Sequence, residues 1–206
     1  MDNIQELDRR AVEVSRGLVR NVTTAQLGLP TPCAEWDLGA LLAHMTVQHH
    51  GFARAVAGER TELADWQPGA VDTAVAEDAA SVYSSAVDHV LDAFGAPGAL
   101  SGRAYLPEIR GGITVPAGMA MGFHFVDYVV HGWDVAAALR LPVEFDDEVL
   151  AAALEVAGQV PDDDASRGPG TAFHRGLAAP DDAAVLDRVL AMLGRSPNWP
   201  SQPPTA

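Results

Sequence analysis

PAGMAMGFHFVDYVVHGWDVAAALR, residues 116–140, is the stretch on which the fold turns. It is long, mostly apolar and bounded like a helix. Pro116 stands where a first-turn proline is tolerated, and Leu141-Pro142 closes the segment. Into it the chain sets His124, Asp127, His131 and Asp134. At about 100° per residue, these spacings place all four within a stripe about 80° wide. Phe125, Val126, Val129, Val130 and Trp133 cover the other faces. Polar groups aligned on one face of a buried helix must satisfy one another, hold water or hold a ligand. Asp127 and His131, at i and i+4, have the spacing with which one helix offers two ligands to one metal ion. Taken alone, the pair also fits a hydrogen-bonded couple in a core, because a metal site needs a further ligand from elsewhere in the chain.

Working outward toward the N-terminus, Ile4, Leu7, Val12, Val14, Leu18, Val22 and Leu27 predict an amphipathic helix over 2–27, with Gly28 as its stop. A two-proline connection, 29–37, follows. Asp37 is a good N-cap for a helix over 38–58, whose apolar face is Leu38, Leu41, Leu42, Met45, Phe52 and Val56. His44 stands at the edge of that face and points partly inward, whereas His49 and His50 fall toward the polar side. His44 is therefore the candidate third ligand. Its donor should lie within about 4 Å of those of Asp127 and His131, since a shared zinc ion needs bonds near 2 Å.

Residues 60–72 read as a polar connection, long enough to cross the end of a bundle or cover a site. Helical periodicity resumes over 73–94, where His89 shows no evident partner and reads as surface. Residues 95–114 are rich in glycine and proline and read as loop, with one short extended piece at 104–106. Beyond the central segment, Asp146 or Asp147 caps a helix over 148–160, and 161–170 is an acidic loop. Asp181 caps a last helix over 182–193 that stops at Gly194, and 201–206 should fray. The pattern predicts an all-α chain forming one domain over 1–206, a helical bundle with a C-terminal elaboration at about 161–199 packed on it.

Composition supports this reading. Apolar residues make up 48% of the 206 and aromatics only 6%, which favours closely packed helices over an aromatic-rich β-sandwich. A net charge of −15 and a pI of about 4.6 exclude nucleic acid and anionic membranes as natural partners. Cys33 is the only cysteine, which rules out an internal disulfide and suits a reducing compartment. With no basic-then-apolar leader and no apolar run of about 18 residues, a cytoplasmic protein is expected.

Three stretches, taken together and in this order, resemble a known family: TPCAEWDLGALLAH at 31–44, Asp127-x-x-x-His131-Gly132-Trp133-Asp134, and LDRVLAMLGRSPNW at 186–199. They resemble the mycothiol-dependent maleylpyruvate isomerase N-terminal domain family, one of the DinB/YfiT-like metalloenzymes. The resemblance implies an all-α, DinB/YfiT-like four-helix bundle with additional short C-terminal helices. It also implies a divalent metal, commonly zinc, with nickel, iron or manganese as alternatives. By that resemblance the ligands are His44, Asp127 and His131. The family's carboxylate is commonly Glu; the shorter Asp127 binds zinc at about 2.0–2.2 Å but needs its helix closer to the ion.

His124, one turn earlier on the stripe, is the candidate catalytic group on the substrate side. Asp134 either orients His131 or ties the helix to the 31–37 loop. The N-terminal tilt of Cα–Cβ bonds leans His131 toward Asp127, which favours Asp127 as co-ligand and the structural tie for Asp134. The resemblance further implies mycothiol, a low-molecular-weight thiol, as co-substrate, whose thiolate attacks a small electrophile in an isomerase or S-transferase reaction. Two alternatives stay open: a metal-dependent hydrolase of a small molecule, and a non-catalytic helical domain that binds a small molecule or partner through a partial metal site. Expected partners are the thiol and a small-molecule substrate, neither nucleic acid nor membrane, with a homodimer as an open alternative.

Overall fold

The computed structural model describes residues 3–33, 36–164, 166–167 and 171–200. The chain divides into two compact units, Met1–Val143 and Glu144–Ala206. It is predominantly helical, as the periodicity predicts.

The first unit holds four long helices: α1 (Ile4–Val19), α2 (Leu38–Val56), α3 (Asp72–Gly95) and α4 (Ala117–Leu139). Helix α1 packs on α4 and α3, and α2 packs on α3 and α4. Their shared core includes Val12 and Val19 of α1, Leu38, Leu41, Leu42 and Met45 of α2, Val75, Tyr83 and Val87 of α3, and Tyr128 and Val135 of α4. Leu38, Leu41 and Leu42 are completely buried, each contributing about 1.5–3 kcal/mol by leaving water. Helix α4 is buried around most of its circumference, so its polar stripe lies inside the protein and not on a wet face.

Local chemistry accounts for the helix ends. Asp37 caps α2, its Oδ1 accepting the Ala40 amide at 2.9 Å. Helix α1 stops at Val19, short of the expected 27, because Asn21, Val22, Thr23 and Thr24 are poor helix formers. A short 3-10 turn, Thr24–Gln26, follows instead. Helix α3 breaks at Asp78 (φ −152°, ψ 77°), whose carboxylate accepts the Ser81 amide at 3.0 Å and caps the longer second part. Helix α4 ends at Arg140 in the left-handed region (φ 55°), with Leu141 donating back to the Ala136 carbonyl at 2.9 Å.

Two features of this unit differ from the sequence reading. Residues 95–114 are not mostly loop: β1 (Arg103–Leu106) pairs antiparallel with β2 (Ile113–Pro116), Arg103 opposite Pro116 and Leu106 opposite Ile113. The glycines that read as breakers make the turn, where Gly111 and Gly112 take φ of 76° and 108°. Residues 60–72 are not simply polar cover either. Trp66 is fully buried against Phe52 and Gly51, its Nε1 donating to Thr61 Oγ1 at 2.8 Å.

The second unit contains α5 (Asp147–Gln159), capped by Asp146 accepting the Val149 amide at 3.0 Å, and α6 (Val185–Met192). Helix α6 starts later than expected, since Pro180–Ala183 closes its own turn through a 3.1 Å bond from Ala183 N to Pro180 O. Arg167, buried, donates to the carbonyls of Val160, Pro161 and His174. Gly194, at φ 78°, terminates α6 as predicted. Residues 201–206, expected to fray, lie outside the described residues. Among the described residues no helix is long and apolar enough to cross a membrane.

Candidate metal centre

His44 comes from the second turn of α2, and Asp127 and His131 come from successive turns of α4. Because α2 and α4 pack on one another, the three side chains meet: one donor atom from each lies within 4.8 Å of the others. His131 Nε2 is 3.4 Å from Asp127 Oδ1, and the rings of His44 and His131 meet edge to face with centroids 5.3 Å apart. This is looser than the expected spacing of about 4 Å. Ligands on a tetrahedral zinc sit about 3.4 Å apart, so the carboxylate–imidazole pair already fits, while the widest spacing, at most 4.8 Å, has to close by up to about 1.4 Å. His131 is almost fully buried, whereas His44 and Asp127 are half-buried and leave one side of the cluster open.

Behind His131 lies Asp134, completely buried, with Oδ2 2.9 Å from Nδ1. The carboxylate accepts from Nδ1–H, which fixes the tautomer and leaves the Nε2 lone pair facing Asp127 and His44. The contact that the orienting role of Asp134 requires is therefore present. His131 reaches both carboxylates, Asp127 through Nε2 and Asp134 through Nδ1. The tilt that leans His131 away from position 134 also leans Asp134 back toward His131.

Sequence reasoning gave Trp36 no role, yet its ring centroid is 4.4 Å from that of His44 and 6.4 Å from that of His131. The residue sits just ahead of the Asp37 cap, a position from which apolar side chains fold back onto the first turns of a helix. That pattern is the signal that could have found it. The loop is held in place by an antiparallel bridge between Pro30 and Asp37, by Thr31 Oγ1 donating to the Trp36 carbonyl at 2.8 Å, and by the Trp36 amide donating to Cys33 O at 2.8 Å.

His124 is not part of this cluster. Seven residues separate it from His131, about 10 Å along the helix axis. It is fully buried, its Nδ1 2.6 Å from Asp8 Oδ1 and its Nε2 3.0 Å from His49 Nδ1. His49 is itself fully buried and stacks on Tyr128 at 4.0 Å, so its assignment to a polar side of α2 was wrong. Helix α2 is enclosed by α3, α4 and β1 and has little polar side to offer at that turn. Burial, reinforced by His124, pushes the His49 pKa well below the ordinary histidine value; burial raises that of Asp8 against the opposing pull of His124. His89 also has a partner, the His50 ring, with the two Nδ1 atoms 2.9 Å apart.

One more pair lies a turn further along α2. Gln48, one turn beyond His44 on α2, donates from Nε2 to Glu108 Oε2 at 2.6 Å. Glu108 belongs to the turn between β1 and β2, and nothing in the sequence connects it to α2.

Comparison with known proteins agrees with this architecture. The sequence profile of the mycothiol maleylpyruvate isomerase N-terminal domain matches residues 9–136. An uncharacterized protein of Mycobacterium tuberculosis, present in strains H37Rv and CDC 1551, is 31% identical over 195 residues, covering 91% of this chain and 95% of the relative. A crystal structure of the mycothiol-dependent maleylpyruvate isomerase superposes with a TM-score of 0.60 at 16% identity, covering 76% of this chain and 67% of that one. A histidine-to-alanine mutant of that isomerase gives 0.61 at 15% identity over the same shares. These superpositions show a shared fold. The profile spans well over half of the chain and covers α2, α3 and α4 up to Ala136; the protein belongs to the mycothiol maleylpyruvate isomerase N-terminal domain family.

Proposed function

We propose that this protein is a divalent-metal enzyme that uses a low-molecular-weight thiol of the mycothiol kind to attack a small electrophilic substrate, as an isomerase or S-transferase. The observation that carries the proposal is the meeting of His44, Asp127 and His131, one donor each within 4.8 Å, with Asp134 behind His131. Two imidazoles and one carboxylate form a donor set suited to zinc that leaves a fourth position for an exogenous ligand. Other first-row ions accept the same donors. When bound, the ion supplies the positive charge that favours thiolate over thiol at neutral pH.

The chain's own residues do the rest. Asp134 holds the His131 ring in one tautomer and one orientation. The Trp36 ring lies against His44 and keeps water from that flank. The partly exposed side, between Asp127 and His44, is where a thiol enters. Among the described residues no Ser/His/Asp constellation stands at this centre, which suits a reaction whose nucleophile arrives with the co-substrate. The same open position would activate water in a hydrolase; membership of a mycothiol isomerase domain family favours the thiol.

The test is metal analysis of protein purified without a His-tag. One equivalent of a divalent metal is expected, lost in His44→Ala and in Asp127→Ala while helical content is kept. Wild-type protein that takes up no divalent metal, even when supplied in excess, overturns the proposal.

A further inference from the structure

We infer that Glu108, held by Gln48, is the base that takes the proton from the incoming thiol; the inference rests on the thiol reading above. Three observations place it there. Gln48 follows His44 by one turn on α2, so the two share a face. Gln48 is nearly fully buried, and its amide is committed to the Glu108 carboxylate at 2.6 Å. Strand β1 packs on α2, and the Arg60 guanidinium stacks 4.0 Å over the Tyr105 ring of β1, which holds the hairpin against the end of α2.

Glu108 is exposed as a residue, while its carboxylate is engaged by the buried Gln48 amide. Partial desolvation raises its pKa above the ordinary carboxylate value, the Gln48 amide only partly offsets the rise, and Asp127 adds to it. A carboxylate raised in this way is a better proton acceptor than a free one, and it can return the proton later.

The proposed step is a single proton transfer. The S–H bond of the thiol breaks, its electron pair stays on sulfur, and the proton forms an O–H bond on Glu108. After the sulfur has attacked the substrate, the protonated Glu108 returns the proton to the atom that received the electron pair.

The experiment follows thiol capture directly, without a substrate. Cobalt(II)-loaded protein is mixed with N-acetylcysteine in a stopped-flow spectrometer, and sulfur-to-cobalt absorption is recorded as a function of pH. In Glu108→Gln the capture rate should fall at least about tenfold, at the lower edge of what a positioned base contributes or below it. Bound cobalt should stay at the wild-type level. Acetate added to Glu108→Ala should restore part of the rate. In Gln48→Leu the carboxylate loses a donor that stabilises its charged form, so the pH limb of the rate should move upward. Glu108→Gln with the wild-type rate and the wild-type limb overturns the assignment. If wild-type protein binds cobalt but shows no sulfur absorption, the thiol reading fails and takes this inference with it, a result distinct from an unchanged Glu108 variant.

Discussion

Asp134 gives the sharpest test of how this centre is built. Its carboxylate is completely buried and meets His131 Nδ1 at 2.9 Å, so its charge acts on the imidazole undiluted by water. Asp134→Asn keeps the shape and one acceptor oxygen, removes the charge and turns the other oxygen into an N–H donor. Outer partners of this kind are worth about 10–100-fold in metal affinity, or about 1.4–2.8 kcal/mol. Asp134→Ala goes further, leaving a buried Nδ1–H without this acceptor at a further cost of about 1–3 kcal/mol in stability. For a chain of this size each kcal/mol lowers the melting temperature by about 2–4 °C.

Affinity is read by competition with a chromophoric chelator at fixed pH. Stability is read by urea unfolding with EDTA present, which separates folding from metal binding. The expected order is Asp127→Ala without measurable metal, Asp134→Asn weakened but well folded, and Asp134→Ala weakened and less stable. If Asp134→Asn binds metal as tightly as wild type while Asp134→Ala is merely unstable, Asp134 is structural and the orienting role is wrong. If Asp127→Ala keeps its metal, the ligand set itself is wrong.

Two further outcomes follow from the buried network and from the Trp66 contact. His49 is held neutral in the folded state, so below about pH 6.5 the unfolded chain takes up a proton that the native state refuses, and stability falls as pH falls. The slope approaches about 1.4 kcal/mol per pH unit for that residue, whereas the raised pKa of Asp8 acts with the opposite sign from its ordinary 3.8 upward. Urea unfolding of wild type and His49→Phe at about pH 7.5 and about pH 5.5 isolates the histidine; equal pH dependence in both proteins would contradict the assignment. In Gly51→Ala the added Cβ would stand 2.6 Å from Trp66 Cδ2, so the buried indole must move, at about 1–3 kcal/mol. Tryptophan emission should shift along with the loss of stability, and an unchanged midpoint would show that the contact is not tight.

Local pattern was enough for much of the protein. A helix of period 3.6 can be read without its neighbours, so α4, its polar stripe and the Asp127–His131 pair were visible in residues 116–140. The phase of His44 within α2 and the capping chemistry of Asp37 and Asp146 were visible for the same reason, since each depends on residues at most a few positions away. Trp36, just ahead of a cap, was legible in principle and was passed over.

What was not legible depends on pairs far apart in the chain. Asp8 meets His124 across 116 positions, His49 meets His124 across 75, and Gln48 meets Glu108 across 60. A histidine on a helix edge carries no mark telling whether packing will leave it in water, set it beside a metal ligand or bury it against an aspartate. His44 came to stand beside Asp127 and His131, whereas His49 and His124 joined one buried network with Asp8. The pairing of β2 with β1 was hidden likewise, because glycines that interrupt a helix are the residues a tight hairpin turn needs. The sequence by itself determined the helices and the residues on each face; only the tertiary structure decided which faces met, because hydrogen bonds and ligand spheres close between side chains that packing, not chain order, brings within 3 Å or so.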